Sequence, residues 1–290
     1  MQSDPDPVDD GAGPFARHAR GMRPQALPRW VDGRLLPASE AFLPLDDGAT
    51  TDGLACYTTA AVRRGRVRWL ERHIERLLRD ARLLALPAPH PFELRHAFVE
   101  NARAAFPNAD GALRIQVSAG RSGRARVIGL PRPLGDDPPL WRAVRTPWPH
   151  PGPRPWRGAK VAGAPDLALA RALAHASGAQ EALQVDRDGR VLEGARSALV
   201  VVRADGEIVT PDPARGGVVG LARAVVLERL PDVRVRDVSL ACLAGAREVL
   251  ALNAVRGVRP LVALDDRPLG AFGARAGPVA QRLAALLESE

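Results

Sequence analysis

The chain has 290 residues, of which 46% are hydrophobic and 26% charged, and its formal net charge is +8. This length supports one large domain or two of ordinary size, and the composition excludes a disordered or fibrous protein. The N-terminus has no long apolar run, so we expect neither a signal peptide nor a membrane span, and a cytoplasmic location is the simplest expectation. Cys56 and Cys242 lie far apart in the sequence and indicate neither a disulfide framework nor a metal site.

The positive charge raises the question of a nucleic-acid partner, because a basic face is the usual footprint of phosphate binding. The arginines are spread along the chain and mostly interleaved with acids, as in "ERHIERLLRD", and only "RSGRAR" at residues 121–126 is a local basic patch. Aromatic residues make up 4% of the chain, which leaves few rings to stack on bases. We therefore expect a solvated arginine-rich surface and no nucleic-acid site.

The first half of the chain contains two hairpin signals followed by two helices and a strand. Residues 1–27 carry Pro, Asp and Gly without periodicity and are predicted to form a mobile tail. "RWVDGRLLP" and "CYTTAAVRRGRVRWL" predict hairpins that turn at Asp32-Gly33 and Arg64-Gly65. "LERHIERLLRDARLLAL" has the apolar spacing of an amphipathic helix, "PFELRHAFVENARAAF" predicts a second helix, and "GALRIQVSAG" a strand.

A proline-rich stretch separates the two halves. It contains "PRPLGDDPP", one short strand "LWRAVRT", and "TPWPHPGPRPW". Because prolines at this density break regular structure, we predict a first domain over 28–144, a linker over 145–158 and a second domain over 159–290. Helices and strands continue through the second half, so the expected fold class is α/β (α+β) with two domains.

Lys160, in "PWRGAKVAG", is the only lysine among 41 basic residues. Lysine can do one thing that arginine cannot: its amine can lose a proton and attack a carbonyl to form a Schiff base, whereas guanidinium stays charged. Because this chain uses arginine for nearly all of its positive charge, the one retained lysine indicates a role that needs an amine. A surface lysine that has simply not been replaced is the alternative.

A Schiff-base lysine that holds pyridoxal phosphate needs a carboxylate for the pyridine nitrogen and a site for the phosphate. Glu193, in "DRDGRVLEGARSALVVV", follows a short strand and precedes an apolar one, so it either points inward or lies in solvent at a turn. "GGVVGLARAVVLERL" places Gly220, Leu221 and Ala222 at the start of a helix, where free N–H groups favour an anion.

Five segments, in this order, resemble the fold-type IV pyridoxal-phosphate enzymes, which include branched-chain and D-amino-acid aminotransferases and aminodeoxychorismate lyase. They are "GLACYTTAAV", "LERHIERL", "GAQEALQVDRDGRVLEG", "TPDPARGGVVGLAR" and "AREVLALNAVRGVRPL". The resemblance runs from about Arg29 to Leu287. It implies a homodimer that binds pyridoxal phosphate and a small amino substrate.

The resemblance also implies roles for individual residues. Lys160 matches the Schiff-base lysine and Glu193 the acid paired with the pyridine nitrogen. The remaining cofactor-binding positions, which surround the phosphate, are Arg76, Gly220, Leu221, Ala222, Asn253 and Ala254. His73, in the same segment as Arg76, is interpreted as structural.

Within this group, "CYTTA" and "NAVRGVRP" are more similar to the lyase than to the transaminases. We therefore expect conversion of 4-amino-4-deoxychorismate to 4-aminobenzoate and pyruvate, on the route to folate. Thr58 and Thr59 are candidates to orient the substrate or relay a proton, and Arg124 to bind a substrate carboxylate. A transaminase of D-amino or branched-chain substrates is the alternative, and a binding protein of this fold without catalysis is the third.

Four positions depart from the family pattern. The family commonly has asparagine where this chain has Gly163, arginine where it has Ala61, and an Asn-Leu pair where it has "RSAL" with Ala198. Its Gly-Asp-Gly appears here as Gly53-Leu54-Ala55. These changes fall near the expected substrate face and leave the cofactor set intact.

Overall fold

The computed structural model describes residues 27–120, 123–273 and 275–289, which form two curled β-sheets with helices packed on them. The predicted tail lies outside the described residues except for Leu27. Both sequence-predicted hairpins are present, and the α/β class expected from the sequence is confirmed.

The first sheet has six strands in the order β2-β1-β6-β5-β3-β4. Its elements are β1 (Arg29–Val31), β2 (Arg34–Leu36), α1 (Gly48–Thr51), β3 (Ala55–Arg63), β4 (Arg66–Val67), α2 (Leu70–Leu83), α3 (Pro91–Ala105), β5 (Asp110–Ala119) and β6 (Ala125–Pro133). Helices α2 and α3 pack on one face of this sheet. Side chains alternate between the two faces along a strand, so every second residue of β3 and β5 faces these helices. The residues between them lie on the opposite face of the sheet.

The second sheet has nine strands, with the main order β12-β11-β10-β13-β14-β7-β8-β9 and β15 paired to β14. Its strands are β7 (Trp141–Arg145), β8 (Glu181–Val185), β9 (Val191–Gly194), β10 (Ala198–Val202), β11 (Ile208–Thr210), β12 (Val233–Val235), β13 (Glu248–Asn253), β14 (Gly257–Leu264) and β15 (Arg267–Pro268). The helices of this half are α4 (Pro165–Ala176), α5 (Leu221–Arg229), α6 (Leu240–Ala244) and α7 (Pro278–Ser289). None of the helices in the described residues is long and apolar enough to cross a membrane.

Strand β10 of the second sheet is apolar at every position because both of its faces are covered. On β10, Leu199 and Val201 belong to one apolar core, whereas Val200 belongs to a second core under α5 and α7. Strand β13 divides its side chains in the same way. The continuous run "ALVVV" is therefore the pattern of a strand buried on both sides.

Strand β7 differs in position from the sequence analysis, which placed residues 28–144 in the first domain. It forms parallel pairs with β8 and β14, so Trp141–Arg145 lies in the second sheet. Its fully buried Trp141 belongs to the core of that sheet. The sequence did not show that this strand belongs to the second sheet. Its pairing partners are distant in the chain, and such pairing leaves no local signal in the sequence. The division of the chain into two domains stays a prediction.

Candidate active site

A cavity of about 470 Å³ lies between the free face of the first sheet and the loops that follow β9, β13 and the start of α5. Nine of the eleven residues proposed from the sequence line it: Thr59, Arg76, Lys160, Glu193, Gly220, Leu221, Ala222, Asn253 and Ala254. Thr58 and Arg124 do not. The structure therefore brings together the lysine, the acid and the anion-binding residues that lie far apart in the sequence.

Lys160 is held by its backbone against the first sheet. Its N–H donates to Oδ2 of the fully buried Asp80 at 2.9 Å, and its carbonyl accepts from the N–H of Tyr57 at 2.9 Å. A further bond from Ala162 N–H to the Ala55 carbonyl, at 2.7 Å, extends the segment as a short antiparallel partner of β3. These bonds leave the side chain to point into the cavity, with Nζ 5.0 Å from the centre of the Tyr57 ring.

Glu193 is the last residue but one of strand β9 and is buried, with 7% of its surface exposed, which excludes the alternative of a solvated turn residue. Its Oε2 accepts from the N–H of Val218 at 2.9 Å. Burial raises the pKa of its carboxyl to about 7, although the Val218 N–H and the charge of Lys160 act in the opposite direction. Glu193 is therefore a group that gains or loses a proton near neutral pH.

Arg76 and the start of α5 form an anion site at one end of the cavity. Arg76 is buried and donates to the Val219 carbonyl, while its Nε has no partner in the described residues. Burial lowers the pKa of Arg76 to about 10, so the guanidinium keeps its charge at neutral pH. Gly220 caps α5 without any side-chain hydrogen bond, so the first amides of the helix are available. A phosphate satisfies both the buried Nε and these amides.

Thr58 corrects the sequence analysis, which proposed both threonines as catalytic. Its Oγ1 lies 2.6 Å from Nδ1 of His73 in the core between β3 and α2. The reason is the period of two along a strand, which puts Thr58 and Thr59 on opposite faces of β3. His73 is fully buried, and burial lowers the pKa of its ring to about 3, so it is neutral and structural.

Arg124 is also misplaced by the sequence analysis. It lies exposed just before β6, outside the cavity lining, and its charge acts on Glu93 of α3. Its role as a carboxylate-binding residue therefore gains no support from the cavity lining and stays a prediction.

The two threonines provide a matched test of this geometry. We expect Thr58→Val to lower the free energy of unfolding by about 1–3 kcal/mol, because it leaves Nδ1 of His73 buried without a partner. Thr59→Val, on the cavity face, is expected to leave stability within about 0.5 kcal/mol while lowering activity. Urea unfolding and steady-state rates of the two variants check this. Equal effects of both variants on stability would contradict the assigned faces.

Several residues of the cavity were missed by the sequence analysis. Tyr57, the only tyrosine in the chain, stacks against Arg114 of β5, with the guanidinium 3.6 Å from the ring centre. Burial raises the pKa of Tyr57, but the charges of Lys160, Arg114 and Arg171 outweigh it and lower the pKa overall. Strand alternation could have found Tyr57, since it shares a face with Thr59. The arginines carried no comparable signal because the chain has so many.

Gly163, a departure from the family pattern, has a structural reason. A Cβ at this position would lie 2.4 Å from the carbonyl oxygen of Gly53. Gly53 itself has a positive φ of 63°, which suits glycine. The loop before β3 and the segment after Lys160 therefore pass so closely that no side chain fits between them.

Comparisons with known proteins agree with the fold. The family model of amino-transferase class IV matches residues 55–264. A bifunctional aminodeoxychorismate lyase / D-amino acid transaminase of Mycobacterium tuberculosis is 35% identical over 210 residues, which are 63% of this chain and 71% of that protein. The structure of 4-amino-4-deoxychorismate lyase from Pseudomonas aeruginosa is 31% identical, covers 90% of this chain and 98% of its own, and has a TM-score of 0.76. A hypothetical aminotransferase of Mycobacterium tuberculosis in its PLP-bound form is 26% identical, with a TM-score of 0.78 over 90% of this chain and 98% of its own.

Proposed function

Because the chain belongs to the amino-transferase class IV family, we propose that it is a pyridoxal-phosphate lyase that converts 4-amino-4-deoxychorismate to 4-aminobenzoate and pyruvate. The observation that carries this proposal is the position of Lys160, the only lysine, in one cavity with the buried Glu193 and the anion site at Arg76. A role on the folate route and a homodimeric state are parts of the same proposal.

The residues of the cavity fit pyridoxal phosphate. When bound, the cofactor supplies an electron sink for the carbon that carries the substrate amine. Arg76, with its unsatisfied Nε, and the amides of Leu221 and Ala222 would hold the phosphate. Glu193 would hold a proton at the pyridine nitrogen, which suits a carboxyl that titrates near pH 7.

Lys160 moves the protons of the reaction. The net change removes one proton from the ring carbon bearing the amine, breaks the bond from the neighbouring carbon to the enolpyruvyl oxygen, and adds one proton to the enolpyruvyl methylene carbon. The amine of Lys160, which lies in the cavity, takes the first proton and returns one to the methylene carbon. Asp80 and Tyr57 fix the backbone of Lys160, and Thr59 faces the same space to orient the substrate.

Transamination of D-amino acids is the second candidate. The 35% identical relative is named for both activities, and Lys160 and Glu193 suit either one. A branched-chain substrate is less suitable, because several arginines line the cavity where an apolar side chain would lie.

A paired assay tests the proposal. The holoenzyme is given 4-amino-4-deoxychorismate in one reaction and D-alanine with 2-oxoglutarate in the other, and 4-aminobenzoate and glutamate are measured separately. If the chain is a lyase, we expect 4-aminobenzoate in the first reaction, with a higher kcat/KM than that of glutamate formation in the second. Glutamate alone would make the chain a transaminase, and a protein that takes up no cofactor would remove both activities. Light scattering of the same sample tests the homodimer.

A further inference from the structure

Gln184 is a buried polar side chain whose amide nitrogen has no partner. It belongs to β8, where every residue is buried, and only 2% of its surface is exposed. Its Nε2 forms no hydrogen bond with any part of the chain that the structure describes. A buried donor left unpaired costs stability, so such a group in a folded protein calls for an explanation.

Glu193 lies directly opposite Gln184 on the neighbouring strand. Strands β8 and β9 pair antiparallel, and their register places Gln184 against Glu193. Residues directly opposite each other in such a pair point to the same face of the sheet, with Cβ atoms about 4.5–5.5 Å apart. The two side chains are equally long, so their polar ends can meet across that distance.

The carboxyl of Glu193 has an oxygen free to accept. Its Oε2 accepts from the N–H of Val218 at 2.9 Å, whereas no hydrogen bond among the described residues ends at its Oε1. An ionised carboxylate is an acceptor only, and it has room for several hydrogen bonds. An unpaired donor on β8 therefore stands opposite an unpaired acceptor on β9.

The other polar residue of β8 is already engaged. Both oxygens of Glu181 accept hydrogen bonds, from the N–H of Ala182 and the hydroxyl of Ser197. The two residues that flank Gln184 on the strand point into an apolar core. Gln184 does not line the active-site cavity, so it does not contact a substrate there. Any part that it plays in the reaction is through Glu193.

The environment of Glu193 makes its carboxyl too basic for its expected role. Burial raises its pKa to about 7, and a carboxyl this basic competes with the pyridine nitrogen for the proton that the cofactor ring needs. A donor to the ionised form opposes this, because it stabilises the charge that Glu193 carries when the ring holds the proton. The charged or titratable groups that surround this carboxyl are Lys160, Arg76, Glu181, Asp166, His150 and Arg223.

We propose that Gln184 is a positioning residue of the reaction, whose amide donates to Oε1 of Glu193 when that carboxyl is ionised and so keeps their shared proton on the cofactor ring. This inference rests on the proposed function, because it gives the acid of the cofactor site a second partner. The amide of Gln184 is unpaired while Glu193 is protonated, and the hydrogen bond forms in the charged state.

Gln184→Met tests this in the cofactor-free protein, since methionine has a similar length but no donor. At pH 5 Glu193 is protonated, so the variant only loses an unpaired donor and should melt about 2–4 °C above the parent. At pH 8 Glu193 is ionised, since its folded pKa is about 7. Without the donor the folded pKa rises further, so the variant loses more stability than the parent as pH rises, and its advantage should disappear or reverse. Thermal unfolding measures both differences, and Gln184→Leu is the second variant if methionine packs poorly.

Ser118→Ala is the matched control. Ser118 is fully buried on β5, its Oγ is also unpaired among the described residues, and it lies outside the cavity lining. This variant should raise the melting temperature equally at both pH values. Repeating Gln184→Met in a Glu193→Gln background isolates the pair. There the effect of Gln184→Met should be the same at pH 5 and pH 8, because residue 193 no longer titrates.

In the cofactor-loaded enzyme, Gln184→Met should lower kcat about 10- to 100-fold, as the loss of one hydrogen bond to a charged group does. KM should stay within about threefold, because Gln184 does not contact the substrate. Ser118→Ala should leave both constants close to those of the parent.

Three results would overturn the role of Gln184: a stability difference from the parent that is equal at pH 5 and pH 8, a pH-dependent difference that survives in the Glu193→Gln background, or an unchanged kcat. Failure of this inference and of the proposed function are distinguishable, because the unfolding measurements need no turnover. Coupling between Gln184 and Glu193 in a protein that forms no 4-aminobenzoate keeps the pair and loses the lyase reaction. Turnover without this coupling keeps the reaction alone.

Discussion

Lys160→Ala is expected to lower kcat on the order of 10⁴-fold, because it removes the only amine that can take and return the proton of the reaction. The fold should survive, since Asp80 and Tyr57 bind the backbone of residue 160 and not its side chain. Steady-state rates and the visible absorption of the cofactor-loaded protein measure the loss.

Lys160→Arg is the matched control for charge. It keeps a cation in the cavity, but guanidinium does not lose its proton at physiological pH. Both variants are therefore expected to be inactive and to lack the absorption of the parent enzyme. Borohydride reduction of the parent should fix the cofactor to one peptide, the one containing residue 160. Substantial activity of the arginine variant would show that charge alone suffices and would contradict the assigned role.

Glu193→Gln is expected to lower kcat about 10²- to 10³-fold, the usual effect of removing one preorganised charged group from an active site. An amide in this place cannot accept a proton, so it no longer keeps a protonated pyridine nitrogen beside it. Glu181→Gln is the comparison, because Glu181 is as deeply buried but does not line the cavity. A smaller loss, below about tenfold, is expected there. Equal losses of kcat in the two variants would show that the effect at Glu193 comes from disturbing a buried carboxyl and not from its place in the cavity.

The same variant should change how the stability of the cofactor-free protein depends on pH. The pKa of Glu193 in the folded chain, about 7, lies above the ordinary 4.5. The folded state therefore favours the protonated form, and the parent protein loses stability as pH rises from about 4.5 to 7. Glutamine does not titrate, so the free energy of unfolding of the variant should rise relative to that of the parent across this range. Above pH 7 the relative rise is on the order of 3 kcal/mol. Urea unfolding at pH 5 and pH 8 measures it, and a constant difference between the two proteins would contradict the raised pKa.

Local patterns predicted those features that depend on neighbouring residues. The hairpin turns at Asp32-Gly33 and Arg64-Gly65 and the amphipathic helix α2 follow from turn chemistry and apolar spacing. Lys160 stood out because it is unique, and the resemblance to a family supplied Glu193 and Arg76. These three residues do line one cavity.

The sequence did not predict features that depend on which way a side chain points or on contacts between elements that are distant in the chain. Thr58 and Thr59 are adjacent and alike, and only the pleat of β3 decides which one faces the cavity. Arg132, Arg171 and Arg196 also line the cavity but come from distant parts of the chain, and nothing in their local sequence separates them from the other arginines. Strand β7 joins the second sheet through parallel pairs with distant strands, which turns and periodicity do not encode.

The attachment of Lys160 to β3 has a practical consequence. A protease specific for lysine has a single cleavage site in the whole chain, after residue 160, and it must bind that residue with its backbone hydrogen bonds free. Those groups are engaged by Asp80 and Tyr57, so cleavage must await the local release of this segment from the first sheet. The rate of this single cut, which yields two fragments of predictable size, therefore measures how often the segment around Lys160 opens. Ligands that close the cavity should lower the cleavage rate.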